Sequence, residues 1–316
     1  MRDVDVIAIV GPTAVGKSII AHLLARYLQK KGIHSEIISC DSMQVYRYFD
    51  VGTSKIETEY RREFNYHLID ILEPDEGRFS AGEFRKHFDE IVSRLKREGK
   101  LGILVGGTGL YYKSVKVGIF DGPSADHRIR EELYRIAKER GVEFLYNILR
   151  EIDSEYSYKI SKNDLKRIVR ALEVFKITGV KFSELHKKLT SPSPHKILSF
   201  FLLPDRKVLY EMINNRVDRM ISRGLIEEVR WIVDRYGESI YPLSSIGYKE
   251  VVSFLKGMLS YEEMVNLIKK NTREFARKQV ILFRNTIVDK TISVDLNNYG
   301  PEHYAEAILN QVVCYF

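Results

Sequence analysis

An α/β fold built on a doubly wound parallel sheet is predicted by two observations. A glycine-rich loop stands between a short apolar run and a helical pattern, and the alternation of buried strand and amphipathic helix recurs through residues 1–112. The loop is Gly11-Pro12-Thr13-Ala14-Val15-Gly16-Lys17-Ser18. It matches GxxxxGK[ST], a turn whose backbone N–H groups wrap phosphates. Before it, Val4 to Val10 is a β-branched run of the kind that buried parallel strands carry. After it, Ile19, Ile20, Leu23, Leu24, Tyr27 and Leu28 recur at helical spacing. The loop thus opens onto a helix N-terminus, where the dipole and free N–H groups favour an anion. Lys17 would reach a terminal phosphate, and Ser18 would ligate Mg²⁺. The core is therefore P-loop NTPase-like and binds a phosphate group. Nucleotide, ATP above all, is the default ligand, but the loop reads diphosphate geometry and not the group attached to it.

The following elements extend the sheet. Gly32 ends the first helix, and Glu36 to Cys40 is a second strand closing on Asp41-Ser42-Met43-Gln44. Carboxyl ends of strands line the ligand crevice in open α/β sheets, so Asp41 belongs beside the phosphate loop. It can serve as a Mg²⁺ anchor, a general base or an N-cap, and position alone does not separate the three. Gly52-Thr53-Ser54-Lys55 is a polar turn, and His67-Leu68-Ile69-Asp70 reads as a further short strand. A helix from about Ser80 to Arg97 carries Phe84, Phe88, Ile91, Val92 and Leu95 on one face. Gly99 stops it. Leu101 to Val105 is a third buried strand, ending in Gly106-Gly107-Thr108-Gly109, a turn that lets a ligand approach the backbone.

Beyond Tyr112 the character changes. Residues 113–195 are expected to form a helical insertion, leaving 1–112 and 196–316 as the two parts of the core. Within it, Asn163-Asp164 caps a helix on which Lys166, Arg167 and Arg170 lie within about one turn. Such a cluster is either a solvated face or a grip on phosphates. Ser191-Pro192-Ser193-Pro194 is an exit loop, and Lys196 to Leu203 resumes strand character. A helix after Pro204 carries Arg216 and Arg219. Gly224 breaks it, and Leu225 to Tyr236 forms the next. Ser260-Tyr261-Glu262-Glu263 is a capping box opening a long helix. Its apolar stripe is read as Met264, Ile268, Phe275 and Leu282, with Arg273, Arg277 and Arg284 on another face. A strand over Ile287 to Val294 and a helix over Pro301 to Val313 complete the pattern.

Composition excludes some classes. Apolar content of 44% and charged content of 29% over 316 residues are those of a globular protein of one large or two ordinary domains. No segment approaches the apolar length that crosses a bilayer. A net charge of +7 suits a polyanionic partner. Cys40 and Cys314 form no metal-spaced cluster, and a reducing, cytoplasmic setting is expected.

Taken together, these residues resemble one family, the bacterial tRNA dimethylallyltransferases (tRNA isopentenyltransferases). The resemblance is carried by GPTAVGKS at 11–18, DSMQVY at 41–46, GTSK at 52–55 and HLID at 67–70. It continues through VGGTGLY at 105–111, PSAD at 123–126, NDLKRIVRALEVF at 163–175, IGYKE at 246–250 and TREFARKQ at 272–279. Ile56 stands where proline is common, Arg277-Lys278 reverses the usual order, and Leu282 replaces a frequent tryptophan. The resemblance implies transfer of a dimethylallyl group from dimethylallyl diphosphate to the 6-amino group of the adenosine 3′ of the anticodon, releasing diphosphate. It implies catalytic roles for Asp41, Thr13 and Arg216, the last two on the diphosphate. Mg²⁺ would sit at Ser18. Asp41, Ser42, Met43 and Gln44 would meet the flipped adenosine, with Thr108, Arg130, Lys166, Arg167 and Arg170 gripping the anticodon stem-loop. Arg273, Arg277 and Lys278 would add backbone contacts. A monomer is expected. The rival reading is a P-loop kinase of a small molecule or nucleotide, with Asp41 on Mg²⁺ and Arg167 and Arg170 as a lid. A nucleotide-controlled RNA-binding switch is disfavoured, since no guanine-reading NKxD signature occurs.

Overall fold

The computed structural model describes residues 3–295 and 298–316. The chain divides into two compact units, one holding the chain up to Val117 and from Ser193 onward, the other Gly118–Pro192. The first begins with β1 (Val6–Val10), α1 (Lys17–Lys30), β2 (Ser35–Cys40), α2 (Thr58–Glu63) and β3 (Tyr66–His67). It continues with α3 (Ala81–Arg97), β4 (Leu101–Gly106) and α4 (Gly109–Lys116). Every residue of β1, β2 and β4 is buried, which explains their continuous rather than alternating apolar character. α3 starts where its sequence supplies a capping box: the Ser80 hydroxyl accepts from Glu83 N–H, and the Glu83 carboxylate accepts from Ser80 N–H.

The second unit holds β5 (Ile119–Phe120), α5 (His127–Arg140), α6 (Val142–Ile152), α7 (Ser154–Ser157), α8 (Leu165–Thr178), α9 (Phe182–Lys188) and β6 (Thr190–Ser191). Asp126 caps α5 and Asp164 caps α8. The amphipathic faces of these helices close on a core of their own, built around Leu133, Leu145, Leu149, Ile168, Leu172 and Phe182.

The chain then returns to the sheet with β7 (Ile197–Pro204), α10 (Arg206–Ser222), α11 (Leu225–Tyr236), α12 (Tyr248–Leu255), α13 (Tyr261–Arg284), β8 (Lys290–Val294) and α14 (Pro301–Val312). The six strands are parallel in the order β3-β2-β4-β1-β7-β8. Alternate strand side chains sort the layers. Ile7, Ile9, Ile103 and Phe200 pack with Leu24 and Leu28 of α1 and with Ile308 of α14. On the other face Phe201 meets Phe283 of α13, which also touches Tyr112 of α4. The carboxyl ends of β1, β2 and β4 adjoin one another, and the phosphate loop, Asp41 and Gly107 follow them directly.

Three local expectations are corrected. Pairing in the His67–Asp70 segment stops at His67, because Leu68 and Asp70 take positive φ while Lys55 and Arg61 hold the Asp70 carboxylate. The strand expected from Ile287 begins at Lys290, after Asp289 has turned to bond Ser199 and Lys116. α4 spans the expected boundary after Tyr112 and groups with the sheet unit, where Tyr111 stacks on Phe84 of α3. The α13 stripe is Met264, Ile268, Ala276, Gln279 and Phe283. Phe275 is 42% exposed, one helical position off that stripe.

Candidate active site

The three strand ends enclose a cleft of about 350 Å³ in the sheet unit. Its floor is the phosphate loop. Gly16 has φ of 80°, a left-handed conformation that permits the turn into α1. Ala14 shares that handedness at φ 69°, which costs an L-residue on the order of 1–2 kcal/mol. Among the described residues the amides of Ala14, Val15, Gly16, Lys17 and Ser18 have no protein acceptor, leaving a nest of donors open to an anion. The Lys17 ammonium donates to the Pro12 carbonyl at 2.6 Å. Removal from water, and then the Arg216 guanidinium nearby, bring its pKa down to about 7.

Asp41 forms the adjoining wall. Its Oδ1 accepts from the N–H groups of Met43 (2.9 Å) and Gln44 (3.3 Å), so that oxygen braces a turn, and no helix starts there for it to cap. The carboxylate also lies in the field of Lys17 and Arg216, acting on the pKa of both. Arg216, from α10, donates through Nη1 to the Thr13 hydroxyl at 2.7 Å and through Nη2 to the Thr53 carbonyl at 3.2 Å. Gln44 donates to the same Thr53 carbonyl at 3.4 Å and accepts from Ser39 at 3.1 Å. The Thr108 hydroxyl accepts from Ser42 N–H at 3.0 Å, so it shapes the 41–44 loop. Thr13, Lys17, Ser18, Asp41, Ser42, Met43, Gln44, Thr108 and Arg216 are thereby gathered on one cleft. Gly11, Pro12 and Val15 are buried beneath it.

Other sequence-predicted residues stand elsewhere. On α13, Arg273 donates to Asn214, while Arg277 and Lys278 are exposed. In the helical unit, Lys166 and Arg167 are exposed, and Arg167 pairs loosely with Asp164 at 3.3 Å. Arg130 and Arg170 are not free: both grip Glu173, whose side chain has 0% exposure, at 2.7–3.0 Å. Burial raises the Glu173 pKa, but the two guanidiniums outweigh burial and hold it below the usual value. Glu173→Ala is expected to lower stability by about 2 kcal/mol, less than the roughly 3–5 kcal/mol of a fully buried pair because the arginines reach solvent. A thermal melt checks this, and an unchanged Tm would refute it.

Sequence reasoning missed three groups that build the cleft. The Glu228 carboxylate accepts from the N–H groups of Asp50, Val51 and Gly52 and from the Tyr248 hydroxyl, fixing the loop that presents Thr53. Lys55, its side chain 2% exposed, ties that loop to Asp70 and to the Tyr46 carbonyl. Gln279 reaches the phosphate loop from α13. For Gln279 the signal was present: one polar residue on an otherwise apolar helical stripe.

Comparison with known proteins gives this geometry its relatives. Residues 44–286 match the family model described as IPP transferase. The chain belongs to that family. Among IPP transferase relatives, the tRNA dimethylallyltransferase of Finegoldia magna is 41% identical over 88% of this chain and 87% of its own. That of Thermotoga maritima is 44% identical over 88% and 89%. Two solved structures superpose on the chain. The full-length tRNA isopentenylpyrophosphate transferase of Bacillus halodurans has a TM-score of 0.69 at 35% identity, covering 98% of this chain and 97% of that one. A eukaryotic dimethylallyltransferase described as acting on tRNA has a TM-score of 0.80 at 26% identity, covering 96% of this chain and 77% of that one.

Proposed function

We propose that this IPP transferase moves the dimethylallyl group of dimethylallyl diphosphate onto the 6-amino group of the adenosine 3′ of a tRNA anticodon. The N6–C1 bond forms and the C1–O bond breaks. Diphosphate leaves with the electron pair, and the amine proton passes to Asp41. The observation that carries this reading is the convergence of a carboxylate, a phosphate-binding nest and the Arg216–Thr13 pair on one cleft. The exocyclic amine is a poor nucleophile, and a carboxylate that accepts its proton as the bond forms assists it. Lys17, Arg216 and the loop amides offset the charge that grows on the leaving diphosphate. Gln44 reads the edge of the base, which must leave its stack to enter. The tRNA dimethylallyltransferase relatives favour this reading over the kinase alternative.

The donor set fits Mg²⁺, which takes few protein ligands and keeps phosphate and water oxygens: Ser18, which follows the phosphate-loop lysine, lines the cleft and offers one hydroxyl oxygen. When bound, the ion would neutralise charge on the diphosphate. Cations of the helical unit, Lys166 and Arg167 foremost, bind tRNA phosphates, and Arg277 and Lys278 add to them. Among the described residues no helix is long and apolar enough to cross a membrane. The enzyme works as a monomer in the cytoplasm.

Mass spectrometry of nucleosides from unmodified tRNA, incubated with the protein, Mg²⁺ and dimethylallyl diphosphate, tests the reading. One isoprenyl unit should appear on adenosine with no nucleoside triphosphate present. A strict ATP requirement would sink the proposal. Charge-neutralising changes at Lys166 and Arg167 should each flatten the log–log salt dependence of tRNA binding by roughly 0.7–0.9. Unchanged slopes and affinities would return these side chains to an ordinary solvated face.

A further inference from the structure

One residue joins the two glycine-rich turns of the cleft. Gln279, 7% exposed, accepts the Thr13 N–H on Oε1 at 2.8 Å. Its Nε2 donates to the Gly107 carbonyl at 2.8 Å. The pairing fixes the amide's orientation: turned over, it would set a donor against a donor and an acceptor against an acceptor. The contact is also tight, since a Cβ on residue 107 would lie 2.4 Å from Nε2. A side chain at position 107 would therefore have to displace the Gln279 amide.

The bond has a consequence for the phosphate loop. Pro12 has no N–H, and the Thr13 N–H is spent on Gln279, so the open donors run only from Ala14 to Ser18. With its amide turned inward, Thr13 carries its hydroxyl to the Arg216 guanidinium. We propose that Gln279 is a positioning residue: it keeps the Thr13 amide out of the phosphate nest and so presents the Thr13 hydroxyl and Arg216 to the ester oxygen that leaves with the diphosphate. The inference rests on the function proposed above, which supplies the leaving group. Gln279 touches no reacting atom; it acts through Thr13.

Two measurements test it. The first uses the wild-type protein and inorganic pyrophosphate, with amide hydrogen exchange read residue by residue. The Thr13 amide should be protected already in the free protein and unchanged on binding, while amides from Ala14 to Ser18 gain protection. A Thr13 amide that gains protection only with pyrophosphate would overturn the proposal, whether or not the protein transfers a prenyl group. The second is a double-mutant cycle of Gln279→Met with Thr13→Val, read in single turnover at saturating substrates. Gln279→Met alone should slow transfer about 10- to 100-fold with tRNA affinity within a few-fold. In the Thr13→Val background it should cost little more, because residues acting through one another are not additive. Full additivity, or a rate loss matched by an equal loss of tRNA affinity, would refute the assignment. If Gln279→Met fails to fold, the exchange measurement alone decides.

Discussion

Asp41→Asn is expected to bind tRNA and dimethylallyl diphosphate normally while its single-turnover rate falls by about 10² to 10⁴, the usual cost of a lost general base. The geometry makes this substitution informative. The asparagine Oδ1 can keep the bonds from Met43 and Gln44, so the loop should hold its shape. What it loses is the ability to accept a proton. It also removes a negative charge that repels diphosphate but helps to keep Lys17 protonated, two opposed effects that should leave donor affinity within a few-fold of normal. A Mg²⁺ anchor would behave differently, with weaker diphosphate binding that excess Mg²⁺ restores. A pure turn brace would change the rate little and cost stability by about 1 kcal/mol. Single-turnover rates at two Mg²⁺ concentrations, beside a melt, separate these outcomes, and a near-normal rate would rule out the base.

Lys17→Ala is expected to slow transfer by about 10² to 10³, the range seen when one donor to a developing oxyanion is removed. Lys17 further predicts a pH dependence. Its ammonium is half-charged near pH 7 in the free protein. A bound diphosphate favours the charged form, so binding above that pH takes up a proton. Donor affinity should therefore be flat in this group below about pH 7 and fall by up to tenfold per unit above it. Pyrophosphate titrations between about pH 6 and pH 9, with Lys17→Arg as the permanently charged control, test this. The argument fails if wild type and Lys17→Arg show the same slope.

The parts of this architecture legible in the sequence are those specified locally. The phosphate loop, the capping box at Ser260, and the buried runs of β1, β2 and β4 are each written in a few adjacent residues. A rule of open sheets puts Asp41 beside the loop, and the cleft holds both. What could not be read depends on partners far apart in the chain. Arg216 looks like a surface helix arginine until α10 brings it to Thr13, 203 positions away. Glu228 lies 176 positions beyond Gly52, whose amide it accepts. Glu173 sits within a run of helix formers, and only the folded helical unit shows that it neutralises Arg130 and Arg170. Spacing carries no signal for such pairs, because they are set by packing between elements and not within one.

The strand order also has a consequence for synthesis of the chain. β1 lies between β4 and β7, and Val6 pairs with Gly102 on one side and Ile197 on the other. The ribosome therefore releases one edge of Val6–Val10 long before its second partner exists. At roughly 5–20 residues per second, that apolar edge waits on the order of 10–40 s for β7. Throughout this interval it is an unpaired, uncharged β-template of the kind that joins neighbouring chains. Gly118–Pro192 emerges during the wait and can bury its own core meanwhile. The yield of properly assembled protein is thus governed by elongation speed and by whatever shields the nascent edge, separately from how stable the finished sheet is.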